Sequence, residues 1–273
     1  MKKLIYQFWK GKRPDYSYAS EELFQKYAMQ INADYYLGNG KIKLRCLHKR
    51  YFAALMPLLT KDFDEYDIIL YVDMDIVPVF NLKKDIFELT NGHIMMCEEV
   101  CQPQLRTNMK GKINSQNDVK WANTVEDLCG KRPFLEKTGK PRVFNSGVVI
   151  YTRNGINFLR KKLPSILRYQ ISMKLRGLPK FYSFDQNYLN AFLNLDGVQF
   201  SKLPEIWNSQ VIRYEDNSDQ IHLLDRRSEK TCFIHVQPGP LKKKLSKHDM
   251  LMISQGCYSI AENINGPSPS KFS

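Results

Sequence analysis

Two aspartates one residue apart, Asp73 and Asp75, directly follow an uninterrupted apolar run, Ile68–Val72. Burial disfavours the charged form of a carboxylate, and two carboxylates at this spacing repel each other. A bound divalent cation removes both costs, because magnesium and manganese accept carboxylate oxygens and also bridge phosphates. We therefore predict a manganese or magnesium site at the end of this strand. A pair of solvated turn carboxylates is the alternative, and the apolar residues on both sides of the pair disfavour it.

Small polar residues and a second acidic position occur further along the chain. Asn145, Ser146 and Gly147 precede an apolar run, where small side chains let a ligand approach the backbone closely. Asp185 stands at the expected N-cap of a helix, with Gln186 just inside it. Taken alone, a plain N-cap explains Asp185 better than catalysis does.

A histidine follows a late apolar run. His235 is succeeded by Gly239 and Lys242. A lone histidine in such a place is usually structural. With a glycine and a lysine at this spacing, it can instead supply a metal ligand, while the other two supply a tight turn and a phosphate contact.

The motif at 73–77 also fits the D-x-D-x-[TV] pattern of the haloacid-dehalogenase phosphatases. Those enzymes carry the motif on their first strand and need a later lysine and a later acidic pair. Here the motif lies about seventy residues into the chain and no adjacent Asp-Asp pair follows. A phosphatase or phosphotransferase is therefore the secondary alternative.

The motifs together resemble a known family. The running order D-x-D, F-N-[AS]-G, D-Q-x-x-L-N, L-P-x-x-W-N and H-x(2–3)-G-x-x-K is similar to that of the family 8 glycosyltransferases, and it extends from about residue 50 to residue 242. These are retaining, metal-dependent enzymes of the GT-A fold. The opening, IYQFWKGKRP, looks more like the I-H-Q-x-W start of the D-x-D capsule and mannosyl-type sugar transferases.

The resemblance implies roles for individual residues. Asp73, Asp75 and His235 would hold the metal, Asp185 and Gln186 would lie beside the transferred sugar, and a further set would bind the donor: Tyr6, Phe8, Trp9, Arg50, Asp73, Asn145, Ser146, Gly147, Gly239 and Lys242. The aromatic residues of this set would stack on the base, with core packing as an equal alternative. One departure is an extra residue between His235 and Gly239, and no Pro-Trp follows Lys242. Lys243 or Lys244 could therefore take the phosphate contact.

Strands that alternate with helices must position these residues. Apolar patterns predict strands at 4–8, 68–72, 94–97, 148–152, 198–202 and 231–234, and helices at 21–30 with Ser20 as N-cap, 44–59, 157–170 and 185–193. This order predicts one α/β domain over 1–262 with an open, mostly parallel sheet flanked by helices, as the GT-A resemblance also implies. The polar stretch 101–142 reads as a long insertion or lid, and 263–273 as a flexible tail.

The net charge of +13 favours anionic partners. No helix-turn-helix, zinc-finger or RNA-recognition signature is visible, so we expect no nucleic-acid partner. The expected partners are a nucleotide-sugar donor and a glycan, lipid-linked or protein-linked acceptor, and the charge is compatible with peripheral contact with an anionic membrane surface. A basic non-catalytic glycan- or nucleic-acid-binding protein is the remaining alternative, and the joint presence of Asp73, Asp75 and His235 speaks against it.

The six cysteines include no C-x-x-C pair, so we expect reduced thiols and no structural zinc. The apolar run near the start ends after about five residues, which is too short for a signal peptide. No stretch approaches the roughly 18 apolar residues of a membrane span. These features lead us to expect a cytoplasmic protein.

Overall fold

The computed structural model describes residues 1–40, 51–109, 111–237 and 239–256. Its strands are β1 Lys3–Phe8, β2 Asp34–Gly38, β3 Ile68–Val72, β4 Ile76–Pro78, β5 Ile94–Glu98, β6 Phe144–Thr152, β7 Phe200–Leu203, β8 Ser209–Glu215, β9 Ile221–Asp225 and β10 Phe233–Gln237. Its α-helices are α1 Tyr16–Gln30, α2 Met56–Leu59, α3 Gln102–Asn108, α4 Ser115–Cys129, α5 Arg153–Lys162, α6 Ile166–Leu175, α7 Asp185–Phe192 and α8 Lys247–Ser254.

A six-stranded sheet in the order β2-β1-β3-β6-β5-β7 forms the centre of the molecule. Strands β2, β1, β3, β5 and β7 run in one direction, and β6 runs against its neighbours β3 and β5. Every residue of β3 is buried, as expected of a strand covered on both faces. The predicted mostly parallel sheet flanked by helices is thus confirmed.

A second sheet of four strands, β4-β10-β8-β9, lies beyond the end of β3. The chain leaves β3, passes through Asp73 and Asp75, and enters β4, where Ile76 pairs with His235 of β10. The two acidic residues therefore occupy the crossing between the sheets. This second sheet carries the predicted histidine to a position beside them.

Two predicted helices have different bounds. Helix α1 begins at Tyr16, and its N-cap is Asp15. Ser20 therefore lies inside the helix, where its hydroxyl donates to Ile76 O. The predicted helix 157–170 is two helices, α5 and α6, because Pro164 between them has no N–H to donate and Ser165 caps the second.

The polar stretch 101–142 contains two helices, α3 and α4. Trp121, Ala122 and Val125 of α4 are buried in the main core, and the Trp121 indole donates to Tyr169 Oη at 2.8 Å. An apolar face at helical spacing therefore packs α4 against α6. The expectation that 101–142 forms a long insertion or lid stays a prediction.

The remaining expectations have mixed outcomes. Within the predicted helix 44–59, the described residues form a short 3-10 turn, Ala53–Leu55, followed by α2. Residues 44–50 lie outside the described residues, as does the predicted tail 263–273.

Of the cysteines, Cys97, Cys101, Cys129 and Cys232 are thiols. In the described part, no helix has both the length and the apolarity needed to span a membrane.

Candidate active site

The turn between β3 and β4 holds Asp73 and Asp75 in place through its backbone. The Asp73 amide donates to Gly147 O at 2.9 Å, and the Ile76 amide donates back to Asp73 O at 3.2 Å. The buried Gln7 side chain also donates to Asp73 O, at 3.3 Å. The turn is therefore fixed from β6 and from β1 before any ligand is present.

Asp73, Asp75 and His235 form one cluster, in which one ligand atom from each residue lies within 4.8 Å of the others. His235 is 1% exposed and Asp75 is 7% exposed. His235 Nε2 lies 3.5 Å from Asp75 Oδ1, and Tyr71 donates its hydroxyl to Asp73 Oδ1 at 2.5 Å. Two carboxylates from the β3–β4 turn and an imidazole from β10 converge here, so two separate segments of the chain form the cluster.

The contacts of His235 select one tautomer. Its Nδ1 lies 2.9 Å from Asn208 Oδ1, and an amide oxygen can only accept, so Nδ1 carries the proton. Its Nε2 is then a lone-pair acceptor and receives the Gln237 amide at 2.8 Å. Burial lowers the pKa of His235 below its usual value, which keeps the ring neutral. A neutral imidazole with its lone pair on Nε2 is the form that binds a metal ion, and a cation bound there would take the place of the Gln237 amide.

Gly147 is required by the packing of His235. A Cβ at Gly147 would lie 2.8 Å from His235 Cε1 and 2.7 Å from Asn145 Oδ1. Both distances are too short for real contacts. The glycine of the F-N-S-G segment therefore makes room for the histidine.

Asn145 is buried, and its side chain is fully engaged. Its Nδ2 donates to the buried Glu99 carboxylate, and its Oδ1 accepts from the Gly147 amide at 2.7 Å. Asn145 pairs with Cys97 across an irregularity in the β5–β6 register. These contacts shape the strand end next to the cluster.

Helix α7 brings Asp185 to the cleft. Asp185 is the first residue of the helix and Phe184 is the N-cap, so Asp185 does not occupy the expected N-cap position. Burial and the negative charge of Asp73 raise the pKa of Asp185 to about 8. In the metal-free protein at neutral pH, this carboxyl group is therefore mostly protonated.

Two amide side chains tie α7 to β6. Gln186 Oε1 accepts from the Ser146 amide at 3.4 Å. The Asn190 side chain accepts from Phe144 N at 2.7 Å and donates to Phe144 O at 2.7 Å. The D-Q-x-x-L-N segment thus holds Asp185 at a fixed place relative to the F-N-S-G segment.

The segment after β10 places Lys242 against the cluster. Gly239 adopts a φ of +61°, a left-handed conformation that favours glycine, and it opens the 3-10 turn Gly239–Lys244. Lys242 Nζ forms an ion pair with Asp75 Oδ2 and lies 5.6 Å from the centre of the Tyr16 ring. The extra residue in this segment therefore does not prevent Lys242 from reaching the acidic pair.

An open cleft of about 650 Å³ lies over the cluster and is lined by Phe8, Trp9, Tyr16, Tyr51, Tyr71, Asp73, Met74, Asp75, Ser146, Asp185 and Lys242. Of the three aromatic residues predicted for the nucleotide pocket, Phe8 and Trp9 line it. Tyr6 is 0% exposed and packs on Phe63 and Tyr71 with ring centres at 4.8 and 5.6 Å. Its expected contact with the base is therefore replaced by core packing. Arg50 lies outside the described residues.

Sequence reasoning missed several residues of the site. Asn208 lies in the L-P-E-I-W-N segment, which was recognised as a motif without a role for its asparagine. Gln7 lies in the opening motif, and Gln237 beside the histidine. Tyr51, stacked on Phe184 at 4.1 Å between ring centres, carried no motif signal. The contacts of Asn208, Gln7 and Tyr51 join residues distant in sequence, so local patterns could not reveal them, whereas the contact of Gln237 with His235 is local.

The donor set of the cluster fits a divalent cation. Aspartate oxygens with one neutral imidazole nitrogen suit manganese or magnesium, whereas sulfur-preferring ions have no thiolate among these three ligands. Asp73, Asp75 and His235 would hold the ion. The existing contacts of Tyr71 and Asn208 orient the ligands that they touch, as outer residues do in metal sites.

No protein-family model and no curated protein matches this chain. Among solved structures, it is similar to the galactosyltransferase LgtC in complex with donor and acceptor sugar analogues, at 12% identity over 96% of this chain and 99% of that one, with a TM-score of 0.50. The chain has the GT-A fold. A glycosyltransferase involved in glycosylation of the major capsid of PBCV-1 is also similar, at 12% identity over 94% of this chain and 100% of that one, with a TM-score of 0.49. Mouse xyloside xylosyltransferase 1 matches at 12% identity over 98% of this chain and 100% of that one, with a TM-score of 0.46.

Proposed function

We propose that this chain is a metal-dependent glycosyltransferase that moves a sugar from a nucleotide-diphosphate sugar to a hydroxyl group of a glycan or other acceptor, with retention. The observation that carries the proposal is the Asp73–Asp75–His235 cluster, which lies within 4.8 Å at the end of β3 in a GT-A fold. In open α/β sheets, ligands bind outside the carboxyl ends of the strands. The cluster therefore lies where a donor diphosphate and its cation are expected.

The side chains of the cleft suit the parts of such a donor. Phe8 and Trp9 offer aromatic surface for a base, and Lys242 offers an ammonium group for the diphosphate. When bound, a divalent cation supplies positive charge that stabilises the leaving diphosphate. Lys242 would add to that charge, and the transferred sugar would lie near Ser146 and Asp185, which line the same cleft.

Retention leaves two roles open for Asp185. It is a candidate carboxylate nucleophile, and front-face attack by the acceptor hydroxyl is the alternative. The raised pKa of Asp185 favours the protonated form in the metal-free protein, and a protonated carboxyl group is a poor nucleophile. A cation bound at Asp73 would offset part of the negative charge that raises this pKa, so both roles stay open for the metal-bound protein.

The function is tested by incubating the purified protein with manganese and a panel of nucleotide sugars that differ in base and in sugar, without acceptor. We expect slow release of the nucleoside diphosphate from one donor, since water replaces the acceptor. Asp75→Asn should abolish this release, because it removes one anionic ligand. Asp62→Asn is the matched control, since Asp62 is exposed and lies outside the cleft lining.

Release by Asp75→Asn at the wild-type rate would refute the metal assignment. Release of inorganic phosphate from simple phosphate esters, in place of nucleoside diphosphate from donors, would favour the phosphatase alternative. Hexosyl and pentosyl donors belong in the same panel, because the proposal covers both classes of sugar.

A further inference from the structure

Helix α6 presents large aliphatic side chains to solvent. Leu167, Ile171 and Leu175 are 60%, 49% and 81% exposed. Residues four apart on a helix lie about 40° apart around its axis, so the three side chains share one face. The opposite side of the helix is buried through Ile166, Tyr169 and Met173. The helix is therefore apolar on two sides, and among the described residues only one of these sides is packed against the rest of the fold.

Cationic residues border the exposed stripe. Lys174 lies about 20° from Leu167 around the helix axis, and Arg168 lies at the other margin, beyond Leu175. Both are exposed, and neither has an ion-pair partner among the residues that the structure describes. Exposed Lys161 and Lys162 end the preceding helix α5, while Arg176 pairs with Asp127. The stripe is thus framed mainly by positive charge.

We propose that this face of α6 docks onto an anionic lipid surface. Helices that lie in the membrane interface have an apolar face that enters the acyl boundary and Lys or Arg side chains that contact the headgroups. Leu167, Ile171 and Leu175 provide the first feature, and Arg168 and Lys174 provide the second. Unpaired cations at the margin of an apolar stripe complement anionic headgroups, and they disfavour a second copy of the same cationic face.

The rigidity of α6 suits this role. Tyr169, on its buried side, donates to Tyr182 O at 2.7 Å and accepts from the Trp121 indole at 2.8 Å. These bonds fix the helix to α4 and to the segment leading into α7. Docking therefore needs no rearrangement of the helix. The proposal does not depend on the proposed transferase activity, because lipid binding can be measured without donor or acceptor.

Vesicle sedimentation tests the proposal. Vesicles of phosphatidylcholine alone are compared with vesicles of phosphatidylcholine mixed with phosphatidylglycerol, using the full chain. We expect wild type to bind the anionic vesicles, and binding to fall about tenfold or more in the Leu167→Ser, Ile171→Ser, Leu175→Ser triple variant. Arg168→Gln with Lys174→Gln should weaken binding to the anionic vesicles, as should raising the salt concentration.

A matched triple variant controls for surface apolarity. Met29, Leu89 and Ile221 are 73%, 39% and 47% exposed on other elements, so their replacement by serine should leave vesicle binding unchanged. Thermal unfolding should show that all variants fold. Equal loss in both triple variants, or wild-type binding by the α6 variant, would overturn the proposal. A wild-type dimer that the α6 variant converts to a monomer, without vesicle binding by either, would show instead that a second copy covers this face.

Discussion

At the scale of single residues, the tautomer of His235 depends on one contact, from its Nδ1 to Asn208 Oδ1 at 2.9 Å. Asn208→Ala removes the acceptor that holds the proton on Nδ1 and fixes the ring plane. Loss of such an outer contact weakens metal binding about 10- to 100-fold. Calorimetric titration with manganese in the presence of nucleoside diphosphate measures the effect. Asn208→Asp keeps an acceptor and should restore most of the affinity, and equal loss in both variants would contradict the positioning role.

Lys242 covers one of the proposed metal ligands, because its ammonium group pairs with Asp75. A cation that binds at Asp75 must displace this group, which then becomes available for a diphosphate. Lys242→Met should therefore bind manganese alone roughly tenfold more tightly, because the cation no longer has to displace the ammonium group from Asp75. The same variant should bind nucleoside diphosphate more weakly, because it loses a charge-assisted contact with the phosphates.

The same titrations on Lys244→Met provide the control, since Lys244 is an exposed lysine of the same turn. We expect Lys244→Met to behave like wild type. If Lys244→Met, and not Lys242→Met, lowers nucleotide affinity, the phosphate contact belongs to Lys244. Weaker binding of manganese alone by Lys242→Met would contradict the displacement argument.

At the scale of elements, Asn190 joins α7 to β6 through both backbone polar groups of Phe144. Asn190→Ala leaves a buried N–H and a buried C=O without this partner. Unsatisfied buried groups cost about 1–3 kcal/mol each, so we expect a loss of stability of that order in urea unfolding. Asn194→Ala is the control, because Asn194 makes one exposed bond to Arg132 O and its loss should be small. Comparable losses in both variants would argue against the anchoring role of Asn190.

The elements also show how far the sequence was informative. The continuous apolar run 68–72 predicted β3 and its buried position correctly, because a strand covered on both faces is mostly apolar. Strand β1 has the same property, as Leu4 to Phe8 are all buried, so its sequence could not tell that Tyr6 enters the core. In α4, the apolar residues Trp121 and Val125 have helical spacing, but the polar residues around them made the apolar face hard to recognise from the sequence.

The cluster was predictable in part. Asp73 and Asp75 are separated only by Met74 and follow a recognisable strand, so the local pattern sufficed for them. His235 comes 160 residues after Asp75, and only the pairing of β10 with β4 brings them together. The family resemblance predicted that the three residues lie together, and the fold brings them into one cluster. The contacts of Asn208 and Gln7 join residues distant in sequence, which no local pattern records, whereas Gln237 contacts His235 within the same strand.

At the scale of the whole molecule, the burial of Asp185 in the cleft over the cluster lowers the free energy of unfolding at neutral pH. Asp185 has a pKa of about 8 in the folded, metal-free protein, raised by burial and by Asp73, against about 3.9 for an ordinary aspartate. Between these values the folded state binds more protons than the unfolded state. The contribution of Asp185 to the free energy of unfolding therefore falls as the pH rises from about 4 to about 8, and it levels off above about pH 8.

Asp185→Asn removes this dependence, because an amide carries no charge in either state. With a metal chelator present, the melting temperature of Asp185→Asn should exceed that of wild type by a few degrees at pH 8 and by much less at pH 4.5, while donor turnover should fall sharply. Asp62→Asn, at an exposed position, should show no such pH-dependent difference. A constant difference between Asp185→Asn and wild type across this range would mean that Asp185 is charged at neutral pH in the folded chain, and it would favour the nucleophile role.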